Sequence, residues 1–138
     1  MGGTFDPQPF PVYVTTINGA YIQFLFPGAN AAGLTYPAQF WPLTLNLGNL
    51  TINESIAQGV VDLNNAITSQ LNASHNVIDF GFSQSSVVAT NEMYALMNLP
   101  LASVPIPANF HSCWPVIPPP RTGASLPASR VSTSPSWT

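Results

Sequence analysis

The fold is decided by residues 76–98, which read NVIDFGFSQSSVVATNEMYALMN. The stretch opens on a short apolar run, residues 76–80, which is typical of a buried β-strand. Two small residues, Gly81 and Ser85, then flank a central serine, Ser83. The remaining residues carry apolar side chains at helical spacing to the end of the stretch. The sequence therefore predicts a strand, a tight turn with a serine at its centre, and a helix.

A strand, a serine turn and a helix in this order are typical of the nucleophile elbow of α/β hydrolases. Small residues two positions before and after the nucleophile let the strand and helix approach each other, while the serine oxygen points into open space. Gly81 meets this requirement, and Ser85 stands where the usual motif has glycine. The alternative is an ordinary strand-to-helix turn in which Ser83 and Ser85 cap the helix. The pattern alone leaves both interpretations open.

Charged side chains are scarce, and this limits the functions of the chain. The chain has 138 residues, of which 5% are charged, and no Lys or Arg occurs before Arg121. The length suggests a single domain. Nucleic-acid binding and a polybasic membrane patch are both excluded, because each needs Lys or Arg to neutralise phosphates. The low charge together with an apolar content of 46% indicates either poor solubility of the chain alone or a location near lipid, cell wall or a protein partner.

Two regions upstream of the elbow predict secondary structure. Residues 12–17 and 20–26 are rich in β-branched and aromatic side chains, and Asn18-Gly19 between them predicts a β-hairpin. A helix over residues 12–17 is the competing interpretation, because the apolar pattern does not alternate strictly. Residues 51–54 form a capping-box pattern, which predicts the start of a helix that runs to about Leu71.

Helix, strand, elbow and helix follow one another, so the sequence predicts an α/β fold with a parallel sheet. The first helix is expected to bury one apolar stripe: Ile56, Val60, Leu63, Ile67 and Leu71. The second is expected to bury five side chains: Val87, Val88, Met93, Leu96 and Met97. In the loop before the first helix, Phe40, Trp41 and Leu43 are expected to cover an edge of the core. An aromatic wall for a substrate is the alternative there.

Three segments resemble the PE-PPE domain of mycobacteria: YPAQFWPLT (36–44), AQGVVDLNNAI (57–67) and GFSQSSVVATNEM (81–93). That family has a cutinase-like serine α/β-hydrolase fold and is implicated in ester or lipid hydrolysis. The resemblance implies a partial α/β-hydrolase domain with a three-layer core and an incomplete, mostly parallel sheet. It also implies a location in the cell envelope or outside the cell, while the chain itself shows no signal peptide or transmembrane segment.

The resemblance also implies roles for individual residues. The G-x-S-x-S pattern is the family's own, so Gly81 and Ser85 both belong to the elbow and Ser83 is the expected nucleophile. The backbone N–H of Gln84 is the first expected oxyanion donor. The Gly3-Thr4 turn resembles the turn that would supply the second donor. An acyl ester or lipid is the implied substrate, and neither a cofactor nor a metal is expected.

The chain departs from the family's pattern at both ends, so we expect it to be truncated there. The family's opening strand should precede Met1. The strands that carry the catalytic Asp and His have no counterpart after Phe110. His75 lies before the elbow strand and Ser83 after it, which separates them by roughly 16 Å or more. The open sheet edges would bind a protein partner, or a separate fragment that completes the site.

The other candidates for a catalytic base or acid fit no better. His111 begins the tail without an evident framework. Asp79 is expected to be a hydrogen-bonded strand residue. Glu92 lies about 13 Å along the helix axis from the serine, so it cannot orient a base. We therefore expect the chain alone to be nearly inactive, although the domain from which it descends was a serine esterase.

Composition changes abruptly after residue 110, where the chain becomes rich in proline and serine. The change divides the chain into a partial hydrolase domain, residues 1–110, and an unstructured tail, residues 111–138. One interpretation of the tail is a natural linker. Another comes from the genetic code. Back-translated with GC-rich codons and read in the alternative frame, the tail permits a buried strand and a Gly-Asp-Pro turn, as the family's sequence continues. This predicts a frameshift near Phe110.

Overall fold

The computed structural model describes residues 1–99 and 110–113. Its helical elements are α1 (Pro11–Ile17), a π-helical turn (Asn18–Ile22), α2 (Gln23–Leu25), α3 (Ile52–Asn72) and α4 (Gln84–Met97). Two short strands, β1 (Val77–Phe80) and β2 (Phe110–Cys113), pair in parallel with Val77 opposite Phe110. The described part of the chain is therefore a mixed, helix-dominated fold with a parallel strand pair. None of its helices is long and apolar enough to cross a bilayer.

Strand β2 crosses the predicted boundary between domain and tail. Residues 111–113, which the sequence placed in the unstructured tail, pair with β1. Such pairing rests on backbone hydrogen bonds, which do not depend on side-chain composition, and the domain boundary at residue 110 stays a prediction. Residues 114–138 lie outside the described residues, so the remainder of the tail and the frameshift stay predictions.

The predicted β-hairpin is wrong, and the competing helix over residues 12–17 is confirmed. Pro11 occupies the first turn of α1, where its missing N–H has no intrahelical partner to lose. The hydroxyls of Thr15 and Thr16 donate to the carbonyls four residues earlier. Asn18-Gly19 lies inside the π-helical turn. A two-stranded hairpin needs a third strand or a packed helix for stability, and the described residues provide no strand beside this segment.

Helix α3 confirms the sequence prediction closely. Its N-cap Thr51 accepts from the backbone N–H of Glu54, and the Glu54 side chain accepts from the backbone N–H of Thr51, which completes the capping box. Within the predicted apolar stripe, Leu63 and Ile67 are 5% and 2% exposed. The other members of the stripe are partly buried against the same core: Ile56, Val60 and Leu71.

The core lies where α3, α4 and the extended segment 34–38 meet. A Cβ atom at Gly59 of α3 would lie 2.9 Å from a methyl of Val88 on α4 and 3.0 Å from the ring of Tyr36. Val88 and Tyr36 are themselves 0% and 2% exposed. The absence of a side chain at Gly59 therefore lets the two helices and the Tyr36 ring pack at close range.

The prediction that Phe40, Trp41 and Leu43 cover the core is wrong. Their side chains are 38%, 45% and 65% exposed. The inward position of this loop is taken by Thr44, which is 0% exposed and accepts from the backbone N–H of Phe40 at 2.7 Å. A small hydroxyl that bonds the loop to itself fills the available space, so the larger apolar side chains point outward. We call residues 40–47 the Trp41 loop.

The buried face of α4 also differs from the prediction. Val87 and Met97 are 45% and 70% exposed. The buried residues are instead Gln84, Ser85, Val88, Ala89 and Glu92. Polar contacts at the start of α4 set the rotation of the helix, and this turns Glu92 inward, where it is 1% exposed and accepts from the Asn64 side chain at 2.7 Å.

Asp79 is a second buried acid, on β1 beside α4. It is 6% exposed, and burial raises the pKa of its carboxyl from 3.8 to about 6. The Met1 ammonium opposes this rise in the Asp79 pKa, whereas the Glu92 carboxylate adds to it. Burial likewise raises the pKa of Glu92, against the effect of its hydrogen bond from Asn64. The core thus holds two carboxyl groups whose pKa burial raises.

We expect the free energy of unfolding to fall as the pH rises from 4 to 6.5. The folded pKa of Asp79 lies above the unfolded value, so the folded state keeps a proton that the unfolded state has lost, and this advantage disappears above the folded pKa. The shift corresponds to about 3 kcal/mol at most. Urea unfolding at a series of pH values measures the effect.

In Asp79→Asn the free energy of unfolding should change much less with pH, and the protein should be more stable at neutral pH. Asp62→Asn, on α3, is the control for loss of one negative charge. A slope that is unchanged in Asp79→Asn would contradict the assignment of the effect to Asp79.

Candidate active site

Ser83 occupies a strained backbone position between β1 and α4. Its φ and ψ are 58° and −125°, and it immediately precedes the first residue of α4. A residue other than glycine at positive φ costs on the order of 1–3 kcal/mol, so the surrounding contacts must hold it there. The Ser83 side chain is exposed and makes no capping hydrogen bond to the helix. The interpretation of Ser83 as an ordinary helix cap is therefore wrong.

Gly81 makes the sharp turn sterically feasible. A Cβ atom at this position would lie 2.6 Å from the carbonyl oxygen of Ser85 and 2.8 Å from the Cα of Ser86. Both are backbone atoms at the start of α4, so they cannot rotate away as a side chain could. The strand and the helix approach each other at Gly81, and this approach leaves Ser83 at the outside of the turn.

The Ser85 hydroxyl closes the turn from the inside. It accepts from the backbone N–H of Phe82 at 2.8 Å and lies 3.1 Å from the Met1 carbonyl oxygen, to which it can donate. Ser85 is 0% exposed. A glycine would fit the same space but would leave the Phe82 N–H and the Met1 carbonyl without this partner. The serine at this position thus contributes hydrogen bonds as well as small size.

The Gly3-Thr4 turn lies directly beside Ser83. A Cβ atom at Gly3 would be 3.3 Å from the Ser83 Cβ and 3.6 Å from its Oγ. The Gly3 carbonyl accepts from the backbone N–H of Asp6 at 3.1 Å, which defines the turn. Within residues 1–99 and 110–113, no acceptor is bonded to the backbone N–H of Thr4 or Gln84. The Gln84 N–H at the start of α4 and the Thr4 N–H in the neighbouring turn are therefore both without a backbone acceptor in this part of the chain.

The Gln84 side chain joins the segments that form the site. Its Oε1 lies 3.3 Å from both the Thr4 and the Tyr36 hydroxyls, which can donate to it, and its Nε2 donates to the Gln39 carbonyl at 2.8 Å. The Tyr36 hydroxyl also lies 3.0 Å from the Gly2 carbonyl. Gln84 is 4% exposed. This network could not be predicted from the sequence, because no local pattern links a glutamine to partners so far away along the chain.

The described side chains do not bring a base to Ser83. His75 is exposed at the opposite end of β1, and its ring nitrogen lies 2.9 Å from the Gln70 side-chain oxygen. This agrees with the prediction that the elbow strand separates His75 from Ser83. His111 lies in β2, in register with Ile78 of β1. In the described part of the chain, no three His, Cys, Asp or Glu side chains form a group that could hold a metal ion.

The geometry can support part of an acyl-transfer reaction. An exposed serine oxygen at a strained turn can attack a carbonyl carbon, and backbone N–H groups without an acceptor can stabilise a negative oxygen that develops beside them. Proton transfer from the serine needs a base, which an acyl-transfer site places within hydrogen-bond reach. The acids on the neighbouring elements, Asp79 and Glu92, are buried in the core.

One family profile and several curated proteins match the chain. The profile of the PE-PPE domain family matches residues 27–112. The chain is 44% identical over 110 residues to the PE family protein PE3 of Mycobacterium tuberculosis H37Rv, a match that covers 80% of this chain and 23% of that protein. It is 38% identical over 107 residues to the Esterase PE16 of the same strain, covering 78% of this chain and 20% of that protein.

A third relative is the uncharacterized PPE family protein PPE42 of Mycobacterium tuberculosis CDC 1551, which is 43% identical over 101 residues. That match covers 72% of this chain and 17% of the relative. The chain thus spans between 17% and 23% of the length of these three proteins. No solved structure matches the chain significantly.

Gly81→Ala should destabilise the protein by about 1–3 kcal/mol or more, because the added methyl meets helix backbone that cannot move aside. Gly19→Ala is the matched control, since a Cβ there meets nothing within 4 Å. We expect Gly19→Ala to be neutral or slightly stabilising. Thermal and urea unfolding followed by circular dichroism measure both. Equal stability of the two variants would contradict the close approach of β1 and α4.

Proposed function

Because the chain belongs to the PE-PPE domain family, we propose that its elbow carries the nucleophile of a serine ester hydrolase. In this reaction the Ser83 oxygen attacks the carbonyl carbon of an ester, the alcohol leaves with a proton, and water then releases the acid from the serine. The observation that supports the proposal most strongly is the exposed Ser83 at φ 58° and ψ −125°. The name of one relative, the Esterase PE16, agrees with this proposal.

The proposed roles follow the arrangement around the elbow. The backbone N–H of Gln84 is the first oxyanion donor, and the Gly3-Thr4 turn supplies the second. The substrate class is an acyl ester or lipid, and the wider fold is a cutinase-like, three-layer α/β-hydrolase core. A location in the cell envelope or outside the cell is part of the same proposal.

We further propose that this chain alone has little activity. An oxyanion hole and substrate binding without a working triad retain roughly 10³–10⁴-fold acceleration over water, against a loss on the order of 10⁶ from the full machinery. His75, the histidine whose side chain is described, lies at the wrong end of β1. A competent enzyme therefore needs a base and an orienting acid from polypeptide beyond the described residues.

A graft of residues 76–98 tests whether the elbow is competent. The segment replaces its aligned counterpart in the Esterase PE16, which keeps its own remaining residues. We expect p-nitrophenyl butyrate hydrolysis to persist in the graft and to fall by about 10⁴–10⁶-fold in the Ser83→Ala version. The ungrafted chain is assayed in parallel, with Ser69→Ala as its control. Ser69 lies on α3, outside the segment used for the graft.

The ungrafted chain should show at most weak turnover that depends on Ser83. A folded graft without esterase activity would contradict the role of Ser83 as nucleophile. Strong Ser83-dependent turnover by the chain alone would instead contradict its proposed inactivity.

The second candidate function is a protein interaction module, and a groove along β1 favours it. The groove has a volume of about 740 Å³ and runs past all four strand residues, between α1 and α3. At one end the Met1 ammonium donates to the Phe80 carbonyl at 3.2 Å. From there the chain runs to Gly3 beside Ser83, in the same direction as β1. Among the described residues β1 pairs only with β2, so an extended apolar segment parallel to β1 would fit the groove.

Mixing the chain with the part of the Esterase PE16 that lies outside the aligned region separates the two functions. We expect turnover that appears only in the mixture and is lost in Ser83→Ala, which would identify a hydrolase half completed by a partner. Binding without Ser83-dependent turnover would favour the interaction module. If the fragment neither binds nor restores activity, completion by a partner is wrong.

A further inference from the structure

The Trp41 loop presents large apolar side chains to solvent on a rigid backbone. Trp41, Leu43 and Leu45 are 45%, 65% and 70% exposed. The loop is held at both ends, since the Trp41 N–H donates to the Leu50 carbonyl at 2.9 Å and the Leu47 N–H to the Thr44 carbonyl at 2.9 Å. An ordered turn that projects apolar side chains into water is typical of a contact surface.

The loop is connected directly to the elbow. Gln39 precedes the loop, and its carbonyl accepts from the side chain of Gln84, the residue that follows Ser83, at 2.8 Å. Gln39 also anchors the far side of the loop, because its side-chain oxygen accepts from the Leu50 N–H at 2.9 Å. On the elbow itself, the Phe82 side chain is 52% exposed. Exposed apolar surface therefore lies on the elbow and on the loop bonded to it.

Charge distinguishes between the partners that could cover this surface. No Asp, Glu, Lys, Arg or His occurs between Asp6 and Glu54, and no Lys or Arg occurs anywhere in residues 1–99. Residues 1–99 therefore offer no Lys or Arg side chain that would attract an anionic membrane to this surface. Complementary charges around a contact steer a protein partner and fix its register, and residues 7–53 have no charged side chain for this purpose. An uncharged apolar medium, which requires no directional contacts, matches the loop best.

We propose that the Trp41 loop docks the protein onto the surface of uncharged lipid. Leu43 and Leu45 enter the acyl-chain region, and Trp41 lies at its boundary with water, where an amphipathic ring is favoured. This extends the proposed ester hydrolysis, because docking would bring insoluble esters to Ser83. Docking itself does not need Ser83, so it can be tested independently of the chemistry.

Binding to phosphatidylcholine vesicles, measured by flotation with the full chain, tests the proposal. We expect the double variant Leu43→Ser, Leu45→Ser to bind at least tenfold more weakly, since each leucine loses a large part of its transfer free energy. Val61→Ser with Met97→Ser is the matched control, because these side chains on α3 and α4 are 52% and 70% exposed. The control and the Ser83→Ala variant should bind like the unchanged chain.

Trp41 fluorescence provides a second measurement that needs no change in the loop. With Trp114→Phe and Trp137→Phe, Trp41 is the remaining tryptophan, and its emission should shift to the blue when vesicles are added. Adding phosphatidylglycerol to the vesicles should not strengthen binding.

Three results would overturn the docking proposal: an equal loss in the Val61 and Met97 control, an unshifted Trp41 emission, or self-association through the loop in place of vesicle binding. None of them would touch the role of Ser83. Conversely, normal vesicle binding together with an inactive graft would contradict the proposed ester hydrolysis and leave the docking proposal in place.

Discussion

The contact between β1 and the start of α4 at Gly81 is the constraint on which the site depends. The strand must reverse into the helix within a few residues, and backbone atoms of Ser85 and Ser86 occupy the space that any side chain at Gly81 would need. The strain of this turn is concentrated at Ser83, whose positive φ would relax if the strand and helix moved apart. The strained backbone of Ser83 and the close packing at Gly81 therefore depend on the same local structure.

Hydrogen bonds from distant segments keep this turn in place. Ser85 holds Phe82 and Met1, while Gln84 holds Thr4, Tyr36 and the Gln39 carbonyl. The network ties the N-terminal turn and Gln39, just before the Trp41 loop, to the first residues of α4. The buried polar residues that sequence patterns leave unexplained are thus the ones that position the site.

The features that the sequence predicted correctly are local. The capping box at Thr51 and the strand, turn and helix around Ser83 are each encoded within a few neighbouring residues. The predicted hairpin failed because Asn18-Gly19 permits a turn but does not exclude a helix, and the outcome depended on which elements were available to pack. The network of Gln84 could not be predicted, since its bonds to Tyr36 and Gln39 span 48 and 45 positions.

The packing at Gly59 also restricts which substitutions the chain can tolerate. The Val88 methyls and the Tyr36 ring fill the space that a side chain at Gly59 would need, and each of these residues belongs to a different segment of the chain. A larger residue at any one of the three positions must be offset by a smaller one at another. Since the Tyr36 hydroxyl also contacts Gln84, a change of side-chain volume at Gly59 on α3 would be transmitted to the residue that follows Ser83. Positions 36, 59 and 88 should therefore evolve together, although they lie far from one another in sequence.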